Sequence, residues 1–162
     1  MIEKIYEVHK IEQIQSKLCY KKVDPIWCLN EPLDFVEVKR SKLKNAGLGL
    51  IAIRDIKKNI AITWYKGYIV EKSTNPSYTW NYKSDRTNKK IKIEASMCNV
   101  ANPLAFVNTF ANEEQKALLN LDRVCLNDRL YYITTKDIKK GDELIVDYAS
   151  KGFINRWINN KK

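Results

Sequence analysis

The sequence of 162 residues contains no run of about 18 apolar residues that would cross a membrane as a helix. Its first residues, Met1-Ile2-Glu3-Lys4-Ile5-Tyr6-Glu7, are too charged to form the apolar centre of a secretory signal, so a soluble, intracellular protein is expected. The four cysteines (Cys19, Cys28, Cys98, Cys125) are scattered without a C-x-x-C pair, and His9 is the single histidine. That pattern suggests neither a zinc cluster nor a disulfide framework; no metal site is expected, and the thiols are read as free and mostly buried. There is no internal repeat and no low-complexity segment. The length suits one domain with its own core and leaves no room for a second catalytic domain.

Acidic side chains are also in short supply. Lys and Arg number 29 against 19 Asp and Glu, a formal net charge of +10, which favours an anionic surface or partner. The basic residues are spread out, however, and Lys89-Lys90, Lys139-Lys140 and Lys161-Lys162 read most simply as solvated faces or turns. A weak contact with nucleic acid or a nucleosome through this basic surface is one expectation; compositional habit is the other.

Apolar residues, at 44%, are arranged in three styles. Ile2, Ile5, Ile11, Ile14 and Leu18 follow a helical spacing with Glu, Lys and Gln between them, which predicts an amphipathic N-terminal helix that covers an open side of the core or docks a partner. Pro25 and Pro32 then bracket a turn-rich link containing Trp27. From Phe35 onward short strands are predicted: residues 35–39 alternate, 50–53 and 60–65 are apolar and β-branched, 78–82 alternate again, and 91–94 follow a polar loop. Asn127-Asp128, between residues 124–126 and 130–133, reads as a hairpin turn. Residues 109–120 hold good helix formers and predict a short helical insertion, and Gly152 to Ile158 a C-terminal helix or arm. The class is mostly β with short helices (α+β), divided as residues 1–34 (N-terminal helix and linker), 35–149 (the β-rich core domain) and 150–162 (aromatic arm).

Chemistry concentrates in four separated segments. These are the turn Asn45-Ala46-Gly47-Leu48-Gly49-Leu50, Tyr65-Lys66-Gly67, the run Asn102-Pro103-Leu104-Ala105-Phe106-Val107-Asn108, and Asp137 to Tyr148 with Gly141-Asp142-Glu143-Leu144-Ile145-Val146-Asp147-Tyr148 at its end. The G-x-G is no dinucleotide fingerprint, because the third glycine and the following helix are missing. In this order and at these separations the segments resemble the landmarks of the SET domain, a family of S-adenosylmethionine-dependent protein lysine methyltransferases, over about Phe35 to Tyr148. The resemblance implies a fold of several small curved sheets.

It also implies roles. Tyr148 matches the family's catalytic tyrosine and Tyr65 a wall of the lysine channel. Ala46, Gly47, Leu48 and Gly49 match the turn whose backbone lies on the cofactor, and Asn108 with Thr109 takes the place of the family's Asn-His pair. Val146, two positions before the tyrosine, would tune channel volume and with it the number of methyl groups added. Glu143 reads as an orienting carboxylate and Asp142 as solvated. Many SET proteins close their sites with zinc modules; here Phe153 and Trp157 are placed to cover the cofactor's adenine instead. The chain departs from the family pattern at Ala101, Ala105 and Thr109, where a Gly, an Arg and a His are usual. Two functions are therefore carried forward. The first is a lysine methyltransferase acting on a histone or another protein, with the nucleus as one compartment. The second is a SET-fold binding module that has lost catalysis. Oligomeric state is not specified by these features.

Overall fold

The computed structural model describes residues 19–95 and 102–148. The segments read as an N-terminal helix and a C-terminal arm, with Phe153 and Trp157, lie outside the described residues. Among the described residues the chain forms ten strands: β1 (Tyr20–Val23), β2 (Ile26–Leu29), β3 (Val36–Arg40), β4 (Leu48–Ala52), β5 (Ile60–Trp64), β6 (Gly67–Ile69), β7 (Thr79–Lys83), β8 (Lys90–Ala95), β9 (Leu121–Leu126) and β10 (Arg129–Thr134). They pair into three sheets: β1-β2-β5-β10-β9, the hairpin β3-β4, and β6-β8-β7. The mostly β class and the several small sheets expected from the SET resemblance are both present. No helix among these residues is long and apolar enough to cross a membrane.

Two segments differ from expectation. Residues 20–29, read as part of a link, form the hairpin β1-β2, and β2 joins β5 in parallel with Trp27 opposite Ile60. Ile26, Trp27, Cys28 and Leu29 are all buried, so this short run carries no alternation for the sequence to reveal. Residues 109–120 form one 3-10 turn, Gln115–Leu118, rather than a helix. Leu118 is exposed, leaving that stretch no apolar face to bury, and helix-forming residues alone do not sustain so short a helix.

The β9-β10 hairpin turns through Asn127 (φ 50°) and Asp128 (φ 64°), both left-handed, a conformation that Asn and Asp tolerate better than other non-glycine residues. The Asp85 carboxylate accepts the backbone N–H of Asn127 and of Asp128, and Asp128 in turn accepts Ser84 Oγ and Arg86. Asp85, Cys125 and Asp128 form the one group of clustered ligand-type side chains among the described residues, and their oxygens are occupied by this latch.

The last described segment ties the sheets together. Leu144 N–H donates to Leu50 O, Ala52 N–H to Asp142 O, and Val146 N–H to Asn108 O, while the Asn120 side chain accepts Ile145 N–H and donates to Glu143 O. Residues 142–146 thus run between β4 on one side and residues 108–121 on the other, with Leu144, Ile145 and Val146 fully buried. This threading delivers Tyr148 to the place where all three sheets meet.

Candidate active site

Three of the four chemical segments converge on Glu143. Its carboxylate accepts Ser41 Oγ (2.8 Å), the Lys42 N–H (2.8 Å) and Asn108 Nδ2 (3.0 Å), and Asn108 Nδ2 also donates to Leu48 O (2.9 Å). One buried carboxylate therefore holds the 41–48 turn and Asn108 in a fixed relation. The two glycines of that turn serve different ends. Gly47 has φ +73°, which a side chain rarely adopts, whereas a Cβ on Gly49 would collide with the Glu143 carboxylate. The absence of a side chain at Gly49 is thus required by Glu143 and Asn108.

Beside this turn lies a depression of about 320 Å³ lined by Ala46, Leu48, Ala105, Phe106 and Asn108, and closed by Ser77, Tyr78 and Tyr148. Leu48 is 54% exposed there, a large apolar side chain that a bound ligand would cover. A second cavity of about 570 Å³ is walled by Tyr65, Tyr78, Trp80, Tyr132, Arg123 and Tyr148, among others. The two share Ser77, Tyr78, Ala105 and Tyr148, so they are neighbouring chambers that meet at Tyr148.

The aromatic cavity is rigidly built. Tyr65 is buried, stacks on Tyr132 (centroids 6.2 Å apart) and donates its hydroxyl proton to Tyr78 O at 2.8 Å. Trp80 meets Tyr132 and Tyr148 edge-to-face, at 6.3 and 5.5 Å, and carries the Arg123 guanidinium 4.0 Å from its ring centroid. Burial pulls the Arg123 pKa down and pushes that of Tyr132 well above the ordinary tyrosine range. Asn102 clamps the neighbouring backbone, accepting Lys66 N–H (3.1 Å) and donating to Lys66 O (2.7 Å). Tyr148 donates its hydroxyl proton to Val107 O, and its backbone N–H reaches Thr109 Oγ1 at 3.3 Å. Burial, with a smaller contribution from Tyr78, pushes its pKa up to about 12. At neutral pH the Tyr148 hydroxyl keeps its proton and is a donor.

The residues singled out from the sequence fall into three groups. Tyr65 and Tyr148 line the aromatic cavity; Ala46, Leu48 and Asn108 line the smaller depression, with Tyr148 at its junction. Gly47, Gly49, Thr109 and Val146 line neither: the first three shape or support the residues that do, and Val146 is buried between Asn108 and Leu121. Val146 lines neither cavity, and Tyr78, Trp80 and Tyr132 are among the walls of the aromatic one. Those three and Arg123 were not singled out from the sequence. Alternation along Tyr78-Thr79-Trp80 was a usable sign, as was a charged Asp122-Arg123 pair inside an otherwise apolar strand.

Comparison with known proteins bears on the family and the fold. The family model described as PR domain zinc finger protein 2, PR domain, matches residues 36–159. Among curated proteins, the histone-lysine N-methyltransferase set-17 of Caenorhabditis elegans is 32% identical over 116 residues, and the histone-lysine N-methyltransferase MECOM of Mus musculus 28% over 118. These alignments take in 70% and 73% of this chain but only 40% and 9% of those proteins, so the chain corresponds to one part of them. Among solved structures, the methyltransferase domain of human PR domain-containing protein 2 superposes with a TM-score of 0.57 at 25% identity, covering 72% of this chain and 78% of that one.

Proposed function

The chain belongs to the PR/SET-domain family, and from that premise we propose that it transfers a methyl group from S-adenosylmethionine to the side-chain nitrogen of a protein lysine. The observation that carries this reading is the pair of chambers meeting at Tyr148. A methyl donor and an acceptor amine need separate seats with one common point, and an in-line transfer needs both held rigidly.

The smaller depression fits the cofactor by the chemistry of its lining. Leu48, Ala105 and Phe106 suit a thioether and a purine, and the faces of Tyr78 and Tyr148 suit a positive sulfur. When bound there, S-adenosylmethionine would supply an activated methyl for a nucleophilic nitrogen. Ala46, Leu48 and Asn108 would hold it in the depression, and Phe153 and Trp157 are proposed to cover its adenine. The aromatic cavity would take the lysine. A free lysine titrates near 10.4, so its neutral form at pH 7.4 lies about 4 kcal/mol uphill. Desolvation between Tyr65, Trp80 and Tyr132, with the buried Arg123 cation in the same wall, disfavours the ammonium and favours the amine. The Tyr148 hydroxyl, protonated at working pH, then orients groups at the junction.

A histone is the proposed substrate, since the nematode and mouse relatives are named as histone-lysine methyltransferases, and the nucleus is the matching compartment. Loss of catalysis, the other reading, is not favoured. Ala105 lines both chambers and Thr109 supports Tyr148, so neither departure from the family pattern opens the site. The test has two arms: calorimetric titration with S-adenosylmethionine, and transfer of labelled methyl to core histones. Saturable binding with label on a lysine is expected. Binding without transfer to any protein of a cell lysate would leave a cofactor-binding module and sink the enzymatic reading.

A further inference from the structure

Glu94 sits on β8, the middle strand of its sheet, opposite Thr79 of β7 and Tyr68 of β6, and lines neither chamber. Its Oε1 accepts the N–H groups of Thr74 and Asn75, each at 2.7 Å, and Ser73 Oγ at 3.2 Å, while Oε2 accepts Thr74 Oγ1 at 2.8 Å. The Asn75 N–H and the Thr74 hydroxyl hold its carboxyl below the ordinary glutamate range, so it stays an acceptor at neutral pH. From the far end of the same segment, Thr79 Oγ1 donates to Asn75 O at 2.7 Å. Residues 74–77 are exposed, so buried apolar surface does little to fix them and these polar bonds carry the task.

The segment gathered in this way leads directly into the site. Asn75 precedes the 3-10 turn Pro76–Tyr78, and Ser77 and Tyr78 are lining residues of both chambers. Tyr78 O also accepts the Tyr65 hydroxyl, so the position of this turn reaches a second wall of the aromatic cavity. We propose that Glu94 is a positioning residue for methyl transfer, setting the place of the wall that the cofactor depression and the lysine channel share. The two ligands are those of the methyltransferase reading, on which this role rests. Because one wall serves both chambers, its displacement weakens both ligands together, whereas a change confined to one chamber weakens one.

The experiment compares the full wild-type chain with Glu94→Ala, Glu94→Gln and the control Asp85→Ala, a carboxylate that also braces a turn through two backbone N–H groups but lines neither chamber. Glu94→Ala is expected to raise both the S-adenosylmethionine Kd and the KM for the protein lysine about tenfold, with a smaller fall in kcat, short of the roughly hundredfold that a misplacement of about 1 Å commands. Glu94→Gln should stay within about twofold of wild type, because its carbonyl oxygen keeps the two N–H groups and its amide turns to donate to Thr74 Oγ1. Asp85→Ala should lower the melting temperature and leave both constants unchanged. Ser73→Ala/Thr74→Val removes the two hydroxyl donors, shifts both constants more mildly in the same direction, and covers the case in which Glu94→Ala does not fold. Unchanged constants with a lowered melting temperature at Glu94 would overturn the proposal and leave the residue a brace of the fold. Equal losses in Glu94→Gln and Glu94→Ala would overturn it as well, since charge rather than bonded geometry would then be the cause. Hydrogen exchange at the Tyr78 and Thr79 amides, faster in Glu94→Ala, reads the wall without any activity. A wild type without methyl transfer sinks the enzymatic reading alone; the exchange rates still decide this one, and unchanged rates in Glu94→Ala would overturn it.

Discussion

Glu143 and Gly49 explain each other: the carboxylate occupies the volume a side chain at position 49 would need, and from there it holds Ser41, Lys42 and Asn108. Gly49→Ala should cost about 1–3 kcal/mol by overpacking. Glu143→Ala should lower stability too by orphaning the Lys42 N–H and Asn108 amide, but Gly49→Ala added to it should cost less than it does alone. Chemical denaturation of the four proteins measures the coupling, and strict additivity would separate the two residues. Tyr148 acts at a different point. Tyr148→Phe should leave the fold and cofactor affinity nearly unchanged while reducing turnover about a hundredfold, the usual effect of losing one well-placed donor. Because its pKa is pushed up to about 12, the wild-type rate should show no fall attributable to Tyr148 ionisation through pH 10. A tyrosinate-linked drop near pH 9 would contradict that.

At the scale of the element, the β9-β10 turn stores a pH dependence. Hydrogen bonds from Arg86 and Ser84 hold the Asp128 carboxyl below its ordinary range. A depressed folded-state pKa stabilises the fold above the unfolded value near 3.9, and that contribution is lost as pH falls below it toward the folded value. The gap in melting temperature between wild type and Asp128→Asn should therefore be full at pH 6 and close as pH drops below about 4. Asn127→Val at φ 50° should cost about 1–2 kcal/mol, whereas Asn127→Gly should be nearly neutral. The Asn127-Asp128 turn was legible in the sequence, as were β3, β4, β5, β7 and β8, because each alternates or is β-branched between turn residues. β2 was not legible: it is buried along its whole length and sits between prolines, a pattern that also describes a packed loop. The helix expected over residues 109–120 failed because local preference had no buried face to act through.

For the whole molecule, the pairings that matter join residues far apart in sequence: Leu50 with Leu144, Asn108 with Val146, Asn120 with Ile145. The amides of Leu144 and Val146 should exchange with solvent only through global unfolding, while the edge strand β6, with Tyr68 and Ile69 exposed, should exchange much faster. Residue-resolved hydrogen exchange decides this, and rapid exchange at Leu144 would show that the threaded segment opens on its own. The same long-range closure limited what the sequence could disclose about the site. Tyr65, Asn108 and Tyr148 stand in motifs, but Tyr78, Trp80, Arg123 and Tyr132 become walls only once three sheets have met around them.

Residues 142–146 lie between β4 and residues 108–121, and this placement bears on how the protein is made. A ribosome that has delivered the chain through Lys136 has produced nearly all of the walls, but not Glu143 to fix the turn, nor the strand-like segment that joins β4 to the rest, nor Tyr148. Synthesis proceeds at about 5–20 residues per second, so the nascent chain carries a half-built site with exposed aromatics until the final stretch emerges. The segment that ties the sheets together and the segment that brings Tyr148 to the cavities are thus the same few residues, so among the described residues the fold and the candidate site close in one step.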